Sequence, residues 1–176
     1  GNFSAAATLI AMVAAGATLV TAAVDQIDAE STATPWMRKA VLALAVLLPL
    51  PSALAVWAVW LRVADYGWTP GRLFAALTAA LAVGYGMSYA VAVLRGAGWM
   101  ARIRPANVVM ALALVAAAAL WLTPVLNPER ISAYSQLARF EHANRNPATL
   151  DIYALREWGA AGEAVQESLG KIAAEP

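Results

Sequence analysis

The sequence predicts an all-α membrane protein: a polytopic bundle of four transmembrane helices, followed by a small C-terminal helical tail outside the membrane. Its 176 residues are 61% hydrophobic and only 13% charged, and a typical soluble domain has about 25% charged residues. The mean hydropathy is +0.62. The charges are also unevenly placed, because four long stretches contain no Asp, Glu, Lys, Arg or His. These observations indicate that lipid is the solvent of most of the chain.

Each uncharged stretch has 21 or 22 residues, and a helix of that length covers the roughly 30 Å hydrocarbon core of a bilayer. Four such helices in one short soluble chain would leave little polar surface. We therefore predict transmembrane spans at about Phe3–Val24, Ala40–Leu61, Leu73–Leu94 and Ala106–Leu126, with the tail at 127–176. The partners this predicts are the lipid bilayer and other transmembrane helices, either from segments missing here or from partner subunits.

The first span is rich in alanine and only moderately apolar. The chain begins with Gly and enters this span almost at once, which indicates a piece of a longer protein or a processed N-terminus. The second span contains the segment LLPLPS, with Pro49 and Pro51 near its middle. Because each proline removes a backbone donor and clashes with the preceding turn, we expect a kink or break there. The break fits either the discontinuous helix of a transporter or a kink that improves helix packing.

The third span has small residues at a strict spacing of four, which lets another helix backbone approach closely. This predicted packing stripe comprises Ala76, Ala80, Gly84, Ser88 and Ala92. Tyr85 and Tyr89 run beside the stripe, also four residues apart. Their hydroxyl groups need partners within the membrane, so we expect them to face the bundle interior. They would either form hydrogen bonds between helices or line a ligand cavity.

The loop between the second and third spans contains a cluster predicted to lie at the outward membrane interface: Arg62, Asp65, Tyr66, Trp68 and Arg72. Arginines beside a span can extend to the head groups, and the aromatic side chains suit the interfacial belt. Gly67 permits a turn, and Thr69 followed by Pro70 is typical of an N-cap and first-turn proline. Of the cluster residues, only Asp65 has no evident structural role. An ion pair with Arg62 or Arg72 explains Asp65 more simply than catalysis does.

Lysine and arginine are unevenly divided between the loops. The first and third loops contain five such residues, namely Arg38, Lys39, Arg95, Arg102 and Arg104, whereas the second loop contains two. By the positive-inside rule the first and third loops are cytoplasmic. The second loop and the tail are then extracytoplasmic.

The tail predicts short helices. Asn127-Pro128 and Asn146-Pro147 each resemble an N-cap followed by a first-turn proline. Beyond them an apolar stripe recurs on one helical face, at Leu155, Trp158, Val165, Leu169 and Ile172, with Gly162 in the same row. The GAAG segment at 159–162 either divides this helix or allows close packing. The stripe suits docking on a neighbouring helix, on the membrane surface or on another protein.

No pattern in the sequence predicts reaction chemistry, a cofactor or a metal site. The chain has no cysteine and one histidine, and it has neither a phosphate-binding loop nor a dinucleotide fingerprint. The four spans contain no ionisable Asp, Glu, Lys, Arg or His, the usual mark of an ion pathway. The net charge of +1 argues against nucleic acid as a partner, because the sequence offers no basic stripe to neutralise phosphates. The residue types of a hydrolase triad are present at Ser132, Ser135, His142 and Asp151, but no nucleophile elbow surrounds them.

Several segments resemble a known family. The second loop has the pattern R-x-A-x-Y-G-W-T-P-x-R, a proline-led span RPANVVMALALVAAAALWL follows, and the tail begins with NPERISAYSQLARF. Together they resemble the C-terminal portion of a bacterial family of polytopic membrane proteins, domain of unknown function 4153, from about Ala40 to about Leu169. The resemblance implies a multi-pass protein of the bacterial cytoplasmic (inner) membrane. It provides no catalytic residues.

Three hypotheses of function remain. The chain is a scaffold or accessory component whose helical tail binds a partner, in which case an extracytoplasmic protein is the expected partner. Alternatively, it is part of a transporter or permease with the proline-broken second helix beside Tyr85 and Tyr89. The third hypothesis is a membrane enzyme acting on a lipid or envelope precursor near Asp65.

Overall fold

The computed structural model describes residues 5–29, 35–123, 126–147 and 150–174, and within these ranges every long element is an α-helix. The described helices are α1 (Ala5–Ala29), α2 (Pro35–Leu47), α3 (Pro49–Tyr66), α4 (Pro70–Leu94), α5 (Trp99–Trp121), α6 (Pro128–His142), α7 (Ile152–Glu157) and α8 (Gly159–Ala174). The predicted all-α fold is confirmed.

Four helical segments are long and apolar enough to cross a membrane: Ala6–Ala23, Pro35–Tyr66, Pro70–Leu94 and Trp99–Trp121. They correspond in order to the four predicted spans, so the chain is a multi-pass membrane protein by the length and composition of its helices. The predicted boundary at Phe3 and the predicted span residues Pro124 and Val125 lie outside the described residues.

The second span is interrupted at Leu48, between α2 and α3, as the two prolines predict. The Leu48 N–H donates to Leu44 O at 3.1 Å and the Ser52 N–H to Leu48 O at 3.4 Å. Pro49 and Pro51 supply no N–H, so the helical hydrogen bonds to Ala45 O and Leu47 O are missing near Leu48. The Ser52 side chain is buried and its hydroxyl donates to Pro49 O at 2.8 Å. The break is therefore an ordered, packed feature.

Helix α5 begins at Trp99 and contains Pro105 within it, although the sequence predicted that the span starts just after this proline. The physical reason lies in Arg102, which binds back to the end of α4. Its Nη2 atom donates to Gly96 O at 2.8 Å and to Ala97 O at 2.9 Å. Trp99, at this earlier start, lies in the core and is only 3% exposed.

The chain divides into two compact units. Unit 1 consists of the described parts of Gly1–Trp60 and Ala75–Ala117, and unit 2 of the described parts of Leu61–Phe74 and Ala118–Pro176. The core of unit 1 combines α1, α2, α4 and α5, with fully buried side chains such as Val20, Ala45, Tyr89 and Ile103. Small residues allow the helices to approach closely, since a Cβ atom on Gly16 would lie 2.6 Å from Leu48 Cδ2.

In unit 2, α6 begins as the sequence predicts, because Asn127 accepts the Arg130 N–H on its side chain at 2.9 Å and Pro128 occupies the first turn. The second Asn-Pro pair does not begin a helix of the same kind. Helix α7 begins at Ile152, and its N-cap is Asp151, whose Oδ1 accepts the Ala154 N–H at 3.0 Å. The Asp151 carboxylate, further along the chain, thus provides the cap expected from Asn146.

The apolar stripe of the tail forms the core of unit 2. Leu155, Trp158 and Val165 are buried against Ala133 of α6, with Leu169 partly buried beside them. The GAAG segment both divides the helix and allows close packing. Gly159, at φ +51°, separates α7 from α8, and Gly162 packs so closely that a Cβ atom there would stand 1.8 Å from Leu155 O. The stripe therefore docks on a neighbouring helix of its own unit.

Candidate functional site

The C-terminal end of α3 is capped by side chains from other parts of unit 2. Gly67 closes the helix at φ +71°, and the backbone carbonyls at this helix end accept hydrogen bonds from side chains. Arg72 Nη1 donates to Gly67 O at 2.7 Å and to Tyr66 O at 3.1 Å. From α6, Gln136 Nε2 donates to Tyr66 O at 3.3 Å and Arg139 Nη1 to Ala64 O at 3.5 Å. Cations suit this position because a helix C-terminus carries partial negative charge.

A cleft of about 620 Å³ opens beside this capped helix end. Its lining includes Tyr66, Arg72, Gln136, Arg139, Tyr153 and Trp158. Two acids, Asp65 and Asp151, also line it. The cleft therefore combines two guanidinium groups, two carboxylates and three aromatic rings within unit 2, and it is the candidate functional site of the chain.

The predicted interface cluster is divided by the structure. Asp65, Tyr66 and Arg72 line the cleft, and the Arg72 guanidinium lies 5.4 Å from the centre of the Tyr66 ring, within cation–π range. Trp68 contributes its backbone instead, donating its N–H to Ser135 Oγ at 3.1 Å. Arg62 is exposed. An ion pair of Asp65 with an arginine stays a prediction.

Sequence reasoning missed the half of the cleft that comes from the tail. Gln136 is buried and polar, and Arg139 places its Nε atom in a buried position without a hydrogen-bond partner in the part of the chain that is described. Tyr153 is 82% exposed at the cleft. The spacing of polar residues on α6 carries no signal for these roles, because they depend on where α3 ends in space.

The polar residues considered for hydrolysis are used structurally. Ser132 is buried and donates to Pro128 O at 2.6 Å, Ser135 accepts the Trp68 N–H, and Asp151 caps α7. Among the described residues, no three His, Cys, Asp or Glu side chains gather closely enough to hold a metal ion. The chemistry that the cleft offers is charge and aromatic recognition.

Unit 1 contains a second opening, a cavity of about 720 Å³ between α1, α4 and α5. Tyr85 and Tyr89 both line it, with their rings edge to face at 6.1 Å. The Tyr89 hydroxyl is bonded between helices, to Thr21 Oγ1 of α1 at 2.7 Å and to Asn107 Oδ1 of α5. Tyr89 therefore forms hydrogen bonds between helices and also lines a cavity, which are the two roles considered for these tyrosines.

A family model described as "Domain of unknown function (DUF4153)" matches residues 4–168. The chain belongs to the DUF4153 family. The resemblance drawn from the second loop and the tail is confirmed, and the DUF4153 match extends it to include α1. Every residue that lines the cleft or the cavity falls within this match. No curated protein matches the chain, and no solved structure does.

The predicted packing stripe occupies mixed positions in this DUF4153 chain. Ala92 is buried, Ala76, Gly84 and Ser88 are half-buried, and Ala80 is exposed. Among the glycines of α4, Gly86 lies against backbone, since a Cβ atom there would lie 3.1 Å from Pro49 N and 3.2 Å from Leu48 O. Helix α4 thus packs against the break between α2 and α3. Within the stripe, Gly84 faces the end of the Met110 side chain of α5, and close approach of another backbone along the whole stripe stays a prediction.

Proposed function

We propose that the chain is a scaffold or accessory component of a bacterial cytoplasmic membrane, whose tail unit binds an extracytoplasmic protein partner at the cleft. The observation that carries this proposal is the cleft itself, a concave surface with arginines and aromatic side chains. These residue types are enriched among the residues that dominate binding energy at protein interfaces.

The cleft is favoured over the apolar stripe as the binding surface. Leu155 and Val165 of the stripe are both 0% exposed, so they stabilise the tail and are not available to a partner. The large exposed hydrophobic side chains of α7 are Ile152, at 49%, and Tyr153, at 82%, and both line the cleft. An exposed aromatic ring beside arginines is the kind of anchor that loses water when a partner docks.

The charges of the cleft indicate the chemistry of the partner. Arg72 and Arg139 offer donors to carboxylates, while Asp65 and Asp151 offer acceptors to cations. A polar peptide segment with both signs of charge complements such a lining, and charge complementarity of this kind gives specificity more than affinity. The ends of α3, α4 and α5 that belong to unit 2 are on the side of the second loop, which the positive-inside rule predicts to be extracytoplasmic.

Photocrosslinking in intact membranes tests the proposal. A photoreactive amino acid at Tyr153 of the full chain should trap one specific protein, whereas the same amino acid at Leu169, which is packed in the core of unit 2, should trap none. The surface control is Glu163, which is exposed on α8.

Two arginine substitutions distinguish recognition of a partner by the cleft from a general effect of losing one positive charge. Arg139→Gln should reduce the Tyr153 adduct at least fivefold, because Arg139 lines the cleft. Arg130→Gln should leave it unchanged, because Arg130 stacks on Tyr134 at 5.9 Å and lies elsewhere on α6. Adducts only to lipid or to the chain itself would remove the support for a protein partner.

The transporter hypothesis is the second candidate, favoured by the break at Leu48 in a membrane span. The cavity of unit 1 is lined by α1, α4 and α5, so the break does not open into it. Because the chain lacks cysteine, a single Ser52→Cys variant reports on water access at the break. Labelling by a membrane-impermeant thiol reagent would favour transport, with Val46→Cys, at an exposed position of α2, as the lipid-facing control.

A further inference from the structure

The cavity of unit 1 is elongated and uncharged. On α1 it extends from Ile10 to Ala22, a distance of about 18 Å at the helical rise of about 1.5 Å per residue. None of the described residues that line it is charged. Its volume of about 720 Å³ lies within the range of small-molecule sites, about 300–1,000 Å³. An apolar chain fits these dimensions, and an ionised group does not suit the lining.

Three polar side chains form a closed cycle at one end of the cavity. The Asn107 Nδ2 atom donates to Thr21 Oγ1 at 3.3 Å, and the Tyr89 hydroxyl donates to Asn107 Oδ1. The Thr21 and Tyr89 hydroxyls lie 2.7 Å apart, so Thr21 can donate to Tyr89 and close the cycle. Thr21 also lies 2.9 Å from Ala17 O, its alternative acceptor.

The cycle uses only one of the two hydrogens on Asn107 Nδ2. A primary amide has two donors, and this amide lines the cavity. The second N–H therefore provides a donor next to an apolar, uncharged space. Beside an apolar lining such a donor favours an oxygen acceptor, because a polar group without a hydrogen bond is costly there.

The depth of Asn107 indicates which oxygen it meets. It follows Arg104 by three residues, about 4.5 Å along the helix axis, and no charged residue follows Arg104 in α5. The amide thus lies one turn inside the last charged residue, at the boundary between the head groups and the hydrocarbon. In a bilayer lipid the ester linkages occupy this level, between the phosphate and the acyl chains.

We propose that the cavity between α1, α4 and α5 holds one ester-linked acyl chain of a bilayer lipid, whose ester carbonyl accepts the second N–H of Asn107. The acyl chain of this lipid lies along the apolar part of the cavity beside Val13, Ala14 and Leu81. This site is separate from the protein-binding cleft, and its test does not depend on the proposed function.

Native mass spectrometry of the full chain in detergent tests the carbonyl contact. The probes are dioleoyl phosphatidylcholine and its ether-linked analogue, which lacks both carbonyls. We expect the wild-type chain to retain the ester lipid about threefold better, the value of one hydrogen bond of about 0.6 kcal/mol in a membrane protein. Asn107→Leu should abolish this preference, whereas Tyr89→Phe, which breaks the cycle but keeps the amide, should retain it. Equal retention of both lipids by the wild type would overturn the proposal.

A photoactivatable acyl chain tests the location. Dioleoyl phosphatidylcholine with a diazirine in one chain should label the residues lining the cavity in membranes. Ala82→Phe fills the lining and should reduce this labelling at least threefold, while Ala80→Phe, on an exposed position of the same helix, should not. Ala14→Phe blocks the same space from α1, so the test remains available if Ala82→Phe does not fold. Unchanged labelling in both filled variants contradicts the assignment.

Discussion

Gly67 and Arg139 lie in direct contact: a Cβ atom at position 67 would stand 2.5 Å from Arg139 Cδ and 3.2 Å from Ser135 Oγ. Gly67 also has a φ of +71°, a conformation that costs other residues about 1–2 kcal/mol. The turn after α3 and the placement of α6 therefore depend on the same glycine.

Gly67→Ala should lower the free energy of unfolding of unit 2 by about 1–2 kcal/mol, mainly through the backbone conformation. The contact with Arg139 adds less, because a flexible side chain can move. Urea titration of the full chain in micelles, followed by tryptophan fluorescence, measures this change. Gly71→Ala is the control, since nothing lies within 4 Å of a Cβ atom there. Equal destabilisation by both substitutions would contradict the role of the turn.

Gly162→Ala should destabilise the tail more strongly than any other glycine substitution in α8. A Cβ atom at position 162 would meet the backbone oxygen of Leu155 at 1.8 Å, and the backbone cannot move aside without displacing α7. We expect a loss of about 3 kcal/mol, at the upper end of overpacking costs, measured by the same titration.

Gly170→Ala provides the matched control on the same helix, because its Cβ atom would meet nothing within 4 Å. Alanine there should stabilise α8 by about 0.5–1 kcal/mol through helix propensity. If Gly162→Ala were as well tolerated as Gly170→Ala, that result would contradict the close packing of α8 on α7.

Two glycines of α4 distinguish backbone contact from side-chain contact. Gly86→Ala should cost about 1–3 kcal/mol, because its Cβ atom would press on the backbone of Leu48 and Pro49 at 3.1–3.2 Å. Gly84→Ala should be nearly neutral, because its Cβ atom would meet only the end of the Met110 side chain, at 2.7 Å, and methionine readily changes rotamer. Thermal unfolding of the full chain in detergent ranks the two variants. A larger cost at Gly84 would instead support the predicted four-residue stripe as the packing row.

Lys171 lowers the pKa of Glu167 through a hydrogen bond and its charge, with Nζ and Oε1 2.7 Å apart on the surface of α8. Because the pKa in the folded state is lowered, the small contribution of this pair is present above the unfolded pKa and is lost as pH falls through the folded one. Lys171→Met should raise the pKa of Glu167 towards its ordinary value. An NMR titration of the Glu167 carboxyl measures it, and Arg156→Met, on α7, should leave it unchanged.

The helical spans and their caps followed from local sequence. The four uncharged stretches predicted four membrane helices because length and apolarity alone decide whether a helix can cross lipid. Pro49 and Pro51 predicted the break at Leu48, Gly67 the turn, and Asn127-Pro128 the start of α6, since each of these depends on the backbone chemistry of a few consecutive residues. At Asn146 the same reasoning predicted the wrong cap, because Asp151 competes as a capping side chain.

Contacts between distant residues were decided by the tertiary structure alone. The sequence singled out Asp65, Tyr66 and Arg72, but only the fold brings Gln136 and Arg139 to the same helix end. It also closes the cycle of Thr21, Tyr89 and Asn107, which are up to 86 residues apart. Local patterns determine which segments become helices and which face is apolar. They do not determine which helix end meets which side chain, because that depends on how the helices pack.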